Sequence, residues 1–143
     1  MWAVPEVYIP MKHELNIWVV GGDQRQARLA QLLSQDGHTV HTYALDLVQD
    51  LSGPIPASSP LSIDLADCVI LPLPVTQGEG NLLNAPLSAS EHALEDILDR
   101  LSPGQFLCGG RTDPKVQALA QARGLTLRDY FARGELAVAN AGP

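Results

Sequence analysis

The stretch Ile17-Trp18-Val19-Val20-Gly21-Gly22-Asp23-Gln24-Arg25-Gln26 decides the fold. Four apolar residues, most of them β-branched, run into a glycine pair, and an acidic residue and a helical pattern follow at once. That order predicts a buried parallel strand, a tight turn and a helix with Asp23 as its N-cap. Backbone N–H groups after Gly22 then point out of a positive helix end, which predicts an anion site. The turn is not the dinucleotide fingerprint. G-x-G-x-x-G needs glycine near positions 23 and 26, where Asp23 and Gln26 stand, and a carboxylate at the cap repels a pyrophosphate. Either a different ligand or a purely structural turn is implied.

Working outward, residues 24–35 read as a helix with Leu29, Leu32 and Leu33 at i, i+3 and i+4, stopped by Gly37. Residues 38–43 alternate as a strand. Residues 46–60 crowd Gly53, Pro54, Pro56, Ser58, Ser59 and Pro60 together, which predicts a short turn and a surface loop rather than a crossover helix. A third buried strand spans residues 67–72, and a long loop follows over residues 72–89. Ser88-Ala-Ser-Glu91 has the spacing of a capping box, ahead of a helical stripe at Leu94, Ile97, Leu98 and Leu101. Residues 105–108 give strand four. Asp113 then caps a helix whose first residue is Pro114, with Val116, Leu119 and Ala120 inward and Gly124 ending it. Residues 125–129 give strand five. Residues 1–15, with Pro5 and Pro10 and no clean period, read as an N-terminal extension in which Trp2, Val7, Tyr8 and Ile9 pack on the body or on a partner.

Five strands alternating with about three helices make an α/β fold: an open parallel sheet, flavodoxin-like or Rossmann-like, in three α/β/α layers. Right-handed crossovers bring the ends of strands one, three and four to one edge. Those ends are the loops at residues 21–25, 72–80 and 109–113. They hold half of the chain's 12 glycines, which points to close backbone approach there.

At 143 residues the chain is one domain by length, and 45% hydrophobic with 17% charged residues is ordinary globular composition. Sixteen acidic against nine basic residues give a net charge of −7, which argues against nucleic acid or an anionic membrane as partner. Cys68 and Cys108 lie in apolar strand-like runs and read as buried thiols. No apolar run approaches the ~20 residues of a membrane span and no signal-peptide pattern opens the chain, so a soluble cytoplasmic protein is expected.

The candidate substrate-binding residues are Gly21, Gly22, Asp23, Arg25, Thr76, Gly78, Glu79, Gly80, Gly110 and Arg111. Arg25 and Arg111 have the planar fork that grips a carboxylate bidentately. Asp23 serves equally as a plain helix cap, and the arginines equally as solvated surface charges. Glu79 between two glycines suits a general base or a hydroxyl-orienting group, or an exposed loop carboxylate. Thr76 suits a hydrogen bond to a substrate oxygen or the start of a turn. His13, His38, His41 and His92 show no metal-ligand spacing, so no metal is expected, and no residue is assigned a catalytic role. A phosphoacceptor Asp at the end of strand three, a flavin phosphate loop, a P-loop lysine and a G-x-S-x-G elbow are all missing from the sequence.

Three separated motifs resemble the N-terminal domain of the dipicolinate synthase A subunit. These are Gly21-Gly-Asp-Gln-Arg-Gln26, Ile70-Leu-Pro-Leu-Pro-Val-Thr-Gln-Gly-Glu-Gly80 and Leu136-Ala-Val-Ala-Asn-Ala-Gly-Pro143. The resemblance covers residues 16–143. It implies a sporulation oxidoreductase that makes dipicolinate from a cyclic dicarboxylate, with NAD(P) as cofactor and the dipicolinate synthase B subunit, a flavoprotein-like chain, as partner. It also implies a flavodoxin-like first domain that forms one wall of a cleft. A doubly anionic substrate suits the two arginines. The family's chains run on into a G-x-G-x-x-G domain beyond the position of Pro143, so this chain is expected to bind no cofactor itself and to be inactive alone. Strand five and the tail carry apolar residues that would face that domain, so a homodimer through that face is expected. The alternative is a standalone, non-catalytic α/β ligand-binding or assembly module.

Overall fold

Ten residue stretches take regular structure in the computed structural model, which describes residues 14–49, 51–77, 81–109 and 114–129. In chain order the strands are Asn16–Val20 (β1), Thr39–Tyr43 (β2), Ile55–Pro56 (β3), Cys68–Ile70 (β4), Phe106–Gly109 (β5) and Leu127–Asp129 (β6). The helices are Gln24–Gln35 (α1), Leu94–Leu98 (α2) and Pro114–Gln121 (α3), with a 3-10 turn at Ile63–Leu65. The strands form one parallel sheet in the order β3-β2-β1-β4-β5-β6.

Strand alternation divides the core in two. Ile17 and Val19, with Val40, Cys68, Ile70 and Cys108, meet Ala30 and Leu33 of α1 on one face. Trp18 and Val20, with Val69 and Leu107, meet Leu94, Ile97 and Leu98 of α2 and Val116 and Ala120 of α3 on the other. Helices therefore cover both faces of an open parallel sheet, the α/β architecture expected from the sequence. The winding reverses between β1 and β4, because α1 leads from β1 out to β2 while α2 leads from β4 out to β5.

The sheet has six strands, not five. The extra one, β3, lies inside the stretch read as a loop and pairs Ile55 and Pro56 with His41 and Thr42. A proline lacks the N–H of an inner strand but is accepted at an edge, and β3 is an edge. Four other expectations need correction. Leu32 is 43% exposed, and the buried face of α1 is Gln26, Ala27, Ala30 and Leu33. Residues 88–91 do not cap α2, which starts at Leu94 after Ala93 with no side-chain cap bond. The long loop after β4 carries pairing of its own: isolated antiparallel bridges join Thr76 to Leu83 and Leu82 to Ala93, laying residues 75–77 and 81–93 over the sheet edge. Strand starts shift by one or two residues. His38 N–H bonds back to Leu33 O and Leu125 N–H to Ala120 O, so both residues close helices instead of opening strands.

Cys68 and Cys108 are buried and free. Among the described residues no helix is long and apolar enough to cross a membrane. The expected Asp113 cap, the aromatic turn and tail after residue 129, and the extension through residue 13 lie outside the described residues.

Candidate functional site

The turn after β1 is built by close backbone contact. Gly21 has φ +64° and Gly22 φ +87°, a region that disfavours any residue with a Cβ. Gly21 N–H donates to Tyr43 O at 2.7 Å, and Gly22 N–H to Asn84 O at 2.8 Å. A Cβ on Gly21 would stand 2.9 Å from Asn84 O, and one on Gly22 would overlap Gln26 Cγ. The glycine pair thus fits the chain's own cover, residues 75–77 and 81–93, and its two amides are taken by internal carbonyls. The anion-binding role expected for this turn therefore falls to the helix end beyond Gly22.

At that end the anion is Asp23 itself. Its Oδ1 accepts from Arg25 N at 2.9 Å, as an N-cap does. The Arg25 guanidinium returns to the same carboxylate, Nε to Oδ1 and Nη2 to Oδ2, both at 3.1 Å. Those side-chain bonds, then the backbone bond from Arg25, hold the Asp23 carboxyl below its usual range. The pair is solvent-exposed, with Arg25 at 75% and Asp23 at 45%. An incoming carboxylate would compete with Asp23 for Arg25.

Thr76 is half-buried and paired with Leu83. Its loop is knitted to the first turn, because Asn84 N–H donates to Val75 O and Asn84 O accepts from Gly22. The structure thus brings Gly21, Gly22, Asp23, Arg25 and Thr76 to the carboxyl edge of β1 and β4. Gly78, Glu79, Gly80, Gly110 and Arg111 lie outside the described residues.

Two features of this edge escaped the sequence reading. Gln26 is buried in the joint between β1 and β4, although its place at i, i+4 and i+7 with Ala30 and Leu33 marks it as inward-facing. On the opposite face of the sheet, a hydrogen-bonded chain runs from the Tyr43 hydroxyl to His92 Nδ1 at 3.2 Å and from His92 Nε2 to Ser88 Oγ at 2.9 Å. Tyr43 and His92 line an open cavity of about 490 Å³ with Asp96, Ile97, Asp99 and Arg100. More carboxylates than cations surround it, which makes it a poor seat for a dianion.

A family model described as the N-terminal domain of the dipicolinate synthase A subunit matches residues 16–131. The A chain of dipicolinate synthase from Bacillus subtilis matches in structure with a TM-score of 0.71 at 26% identity, over 87% of this chain and 42% of that one. The A subunit of dipicolinate synthase from Bacillus halodurans gives 0.72 at 17% identity, over 87% and 43%; the second likeness is one of fold. The chain spans less than half the length of both structures. No curated protein sequence matches it.

Proposed function

Since the chain belongs to the family of N-terminal domains of the dipicolinate synthase A subunit, we propose that it is the substrate-side domain of a dipicolinate-synthase-like oxidoreductase acting in sporulation. The observation that carries this reading is the family match over residues 16–131, which takes in both loops knitted together at the carboxyl edge of β1 and β4. Ligands of open parallel sheets bind at such an edge. The ligand class is a small cyclic dicarboxylate, held by Arg25 and by Arg111.

A nicotinamide dinucleotide does not fit the first turn. The Asp23 carboxylate stands at the α1 N-terminus and the Gln26 side chain fills the joint beneath it, so a pyrophosphate would meet charge repulsion and a filled crevice floor. No hydride step is derived from this chain. The NAD(P) seat, and a partner chain equivalent to the dipicolinate synthase B subunit, belong to the larger assembly in this reading. A homodimer through the β6 side remains part of the proposal.

The second reading, a ligand-binding or assembly module without chemistry, draws support from the self-satisfied turn: both glycine amides are occupied internally and Asp23 engages Arg25. Isothermal titration with pyridine-2,6-dicarboxylate, pyridine-2-carboxylate and NADP separates the two. Heat with the dicarboxylate alone, lost in Arg25→Ala, is expected for the substrate-side domain. No heat with any of the three favours the module.

A further inference from the structure

Gln26 is 6% exposed, third in α1, on the face against the sheet. A buried carboxamide is costly unless its donors find acceptors. Its Nε2 lies 3.3 Å from Val20 O and 3.5 Å from Ile70 O, the last residues of β1 and β4. Those are the two strands between which the winding reverses, the place where open parallel sheets admit a ligand. Gly22 is shaped to this side chain, since a Cβ there would overlap Gln26 Cγ and stand 3.2 Å from Pro72 Cβ.

The chemistry of the position is narrow. Glutamate would set a carboxylate against two carbonyl oxygens. Leucine would fill the space and donate nothing. Glycine, the fingerprint residue at this place in nucleotide-binding turns, would let the helix close directly onto the strand. We propose that Gln26 is the positioning residue of this edge. Its carboxamide ties the ends of β1 and β4 across the reversal point, sets the Gly21–Gly22 turn against the loop from Pro72 to Thr76, and closes the crevice floor to a pyrophosphate. The ligand arm of the test below rests on the dicarboxylate reading; the stability arm does not.

The stability arm measures unfolding of the 143-residue chain and of Gln26→Glu between pH 4 and pH 8. A carboxyl facing two carbonyls has its pKa raised in the folded state, so its stability is kept at low pH and lost as pH rises. Gln26→Glu is expected to approach the unmodified chain near the ordinary glutamate value of about 4.3. Above that it loses about tenfold in folding constant per pH unit until the buried carboxyl ionises. A difference between the two proteins that stays flat across this range overturns the proposal.

A double-mutant cycle of Gly22→Ala with Gln26→Ala gives a second readout. Removing the Gln26 side chain is expected to recover part of the Gly22→Ala loss, and strict additivity counts against the pairing. In the ligand arm, heat on adding pyridine-2,6-dicarboxylate to the unmodified chain should persist in Gln26→Glu at pH 5 and vanish at pH 8. Equal binding at both pH values overturns the positioning role. No heat with the unmodified chain sinks the dicarboxylate reading instead, and the pH dependence of stability then decides Gln26.

Discussion

Tyr43, the last residue of β2, and His92 meet edge-on, with ring centroids 5.1 Å apart and the Tyr43 hydroxyl 3.2 Å from His92 Nδ1. On the far side of the imidazole His92 Nε2 lies 2.9 Å from Ser88 Oγ. A chain of hydrogen bonds through His92 therefore fastens Ser88 and His92 of the cover to β2.

The alkaline side of the stability profile should report the surroundings of the Tyr43 hydroxyl. Burial first, then the Asp96 charge, push the Tyr43 hydroxyl above its ordinary value. A raised folded-state pKa means stability that is intact below the unfolded value of about 10 and is lost as pH rises through the folded one. Denaturant midpoints from pH 8 to pH 11 should fall more steeply for the unmodified chain than for Tyr43→Phe. At pH 7 that variant should be less stable by about 1 kcal/mol, the usual net worth of one hydrogen bond. Equal slopes would show that the Tyr43 hydroxyl is not buried beside Asp96 in the folded chain.

Asp46 governs the acid side of the same chain. Its carboxylate accepts from Ala89 N–H at 3.0 Å and from the Ser88 hydroxyl, and these bonds hold its pKa below the usual aspartate value. A depressed pKa adds stability above the unfolded value, and that stability is lost as pH falls through the folded one. Asp46→Asn should therefore flatten the fall in stability below about pH 4. Asp46 is exposed, so the difference at neutral pH is about 0.5 kcal/mol or less. An unchanged acid limb in urea titrations would remove Asp46 from the chain.

The two leucines in the last turn of α1 should behave oppositely. Leu33 is 1% exposed among Ile17, Val40 and Ile70, whereas Leu32 is 43% exposed. Leu33→Ala opens a cavity in a packed layer and should cost about 2–5 kcal/mol. Leu32→Ser changes surface only and should stay within about 0.5 kcal/mol. Urea unfolding of the two variants decides it, and similar losses would mean that α1 is rotated from the face described here.

The helix face was misread because only leucines were counted. Ala27 and Ala30 are the residues that let α1 come close to the sheet, and Gln26 continues their stripe as a polar member. The strand, turn and helix over residues 16–35 were legible because an apolar run, a glycine pair and a capping Asp agree on one answer. β3 was not, since two residues ending in Pro56 carry no period. The spacing of Ser88 and Glu91 satisfied a capping rule that the fold does not use: His92 holds Ser88, and residues 82–93 are committed to bridges across the edge. The site was legible as an edge, from glycines and topology. That the Gly21 and Gly22 amides serve internal carbonyls was not, because Tyr43 and Asn84 are distant in sequence.

Cys68 and Cys108 provide a check on the sheet itself. They sit on neighbouring strands, one step diagonal in register: Cys68 faces Phe106, and Cys108 faces Ile70. Both belong to the layer under α1. A hydrogen bond with Cys108, reinforced by burial, pushes the Cys68 thiol well above its ordinary value. Only the thiolate attacks a disulfide reagent, so both low access and a scarce thiolate oppose the reaction. With 5,5′-dithiobis(2-nitrobenzoate) at pH 8, the folded chain should release no thionitrobenzoate on the time scale at which the urea-unfolded chain titrates two thiols. At low reagent the residual native rate should follow the open fraction, and so rise about tenfold for each 1.4 kcal/mol of destabilisation, as in Leu33→Ala. Rapid labelling of one thiol in the folded chain would place β4 or β5 at a surface, and the order of strands around the reversal point would have to change.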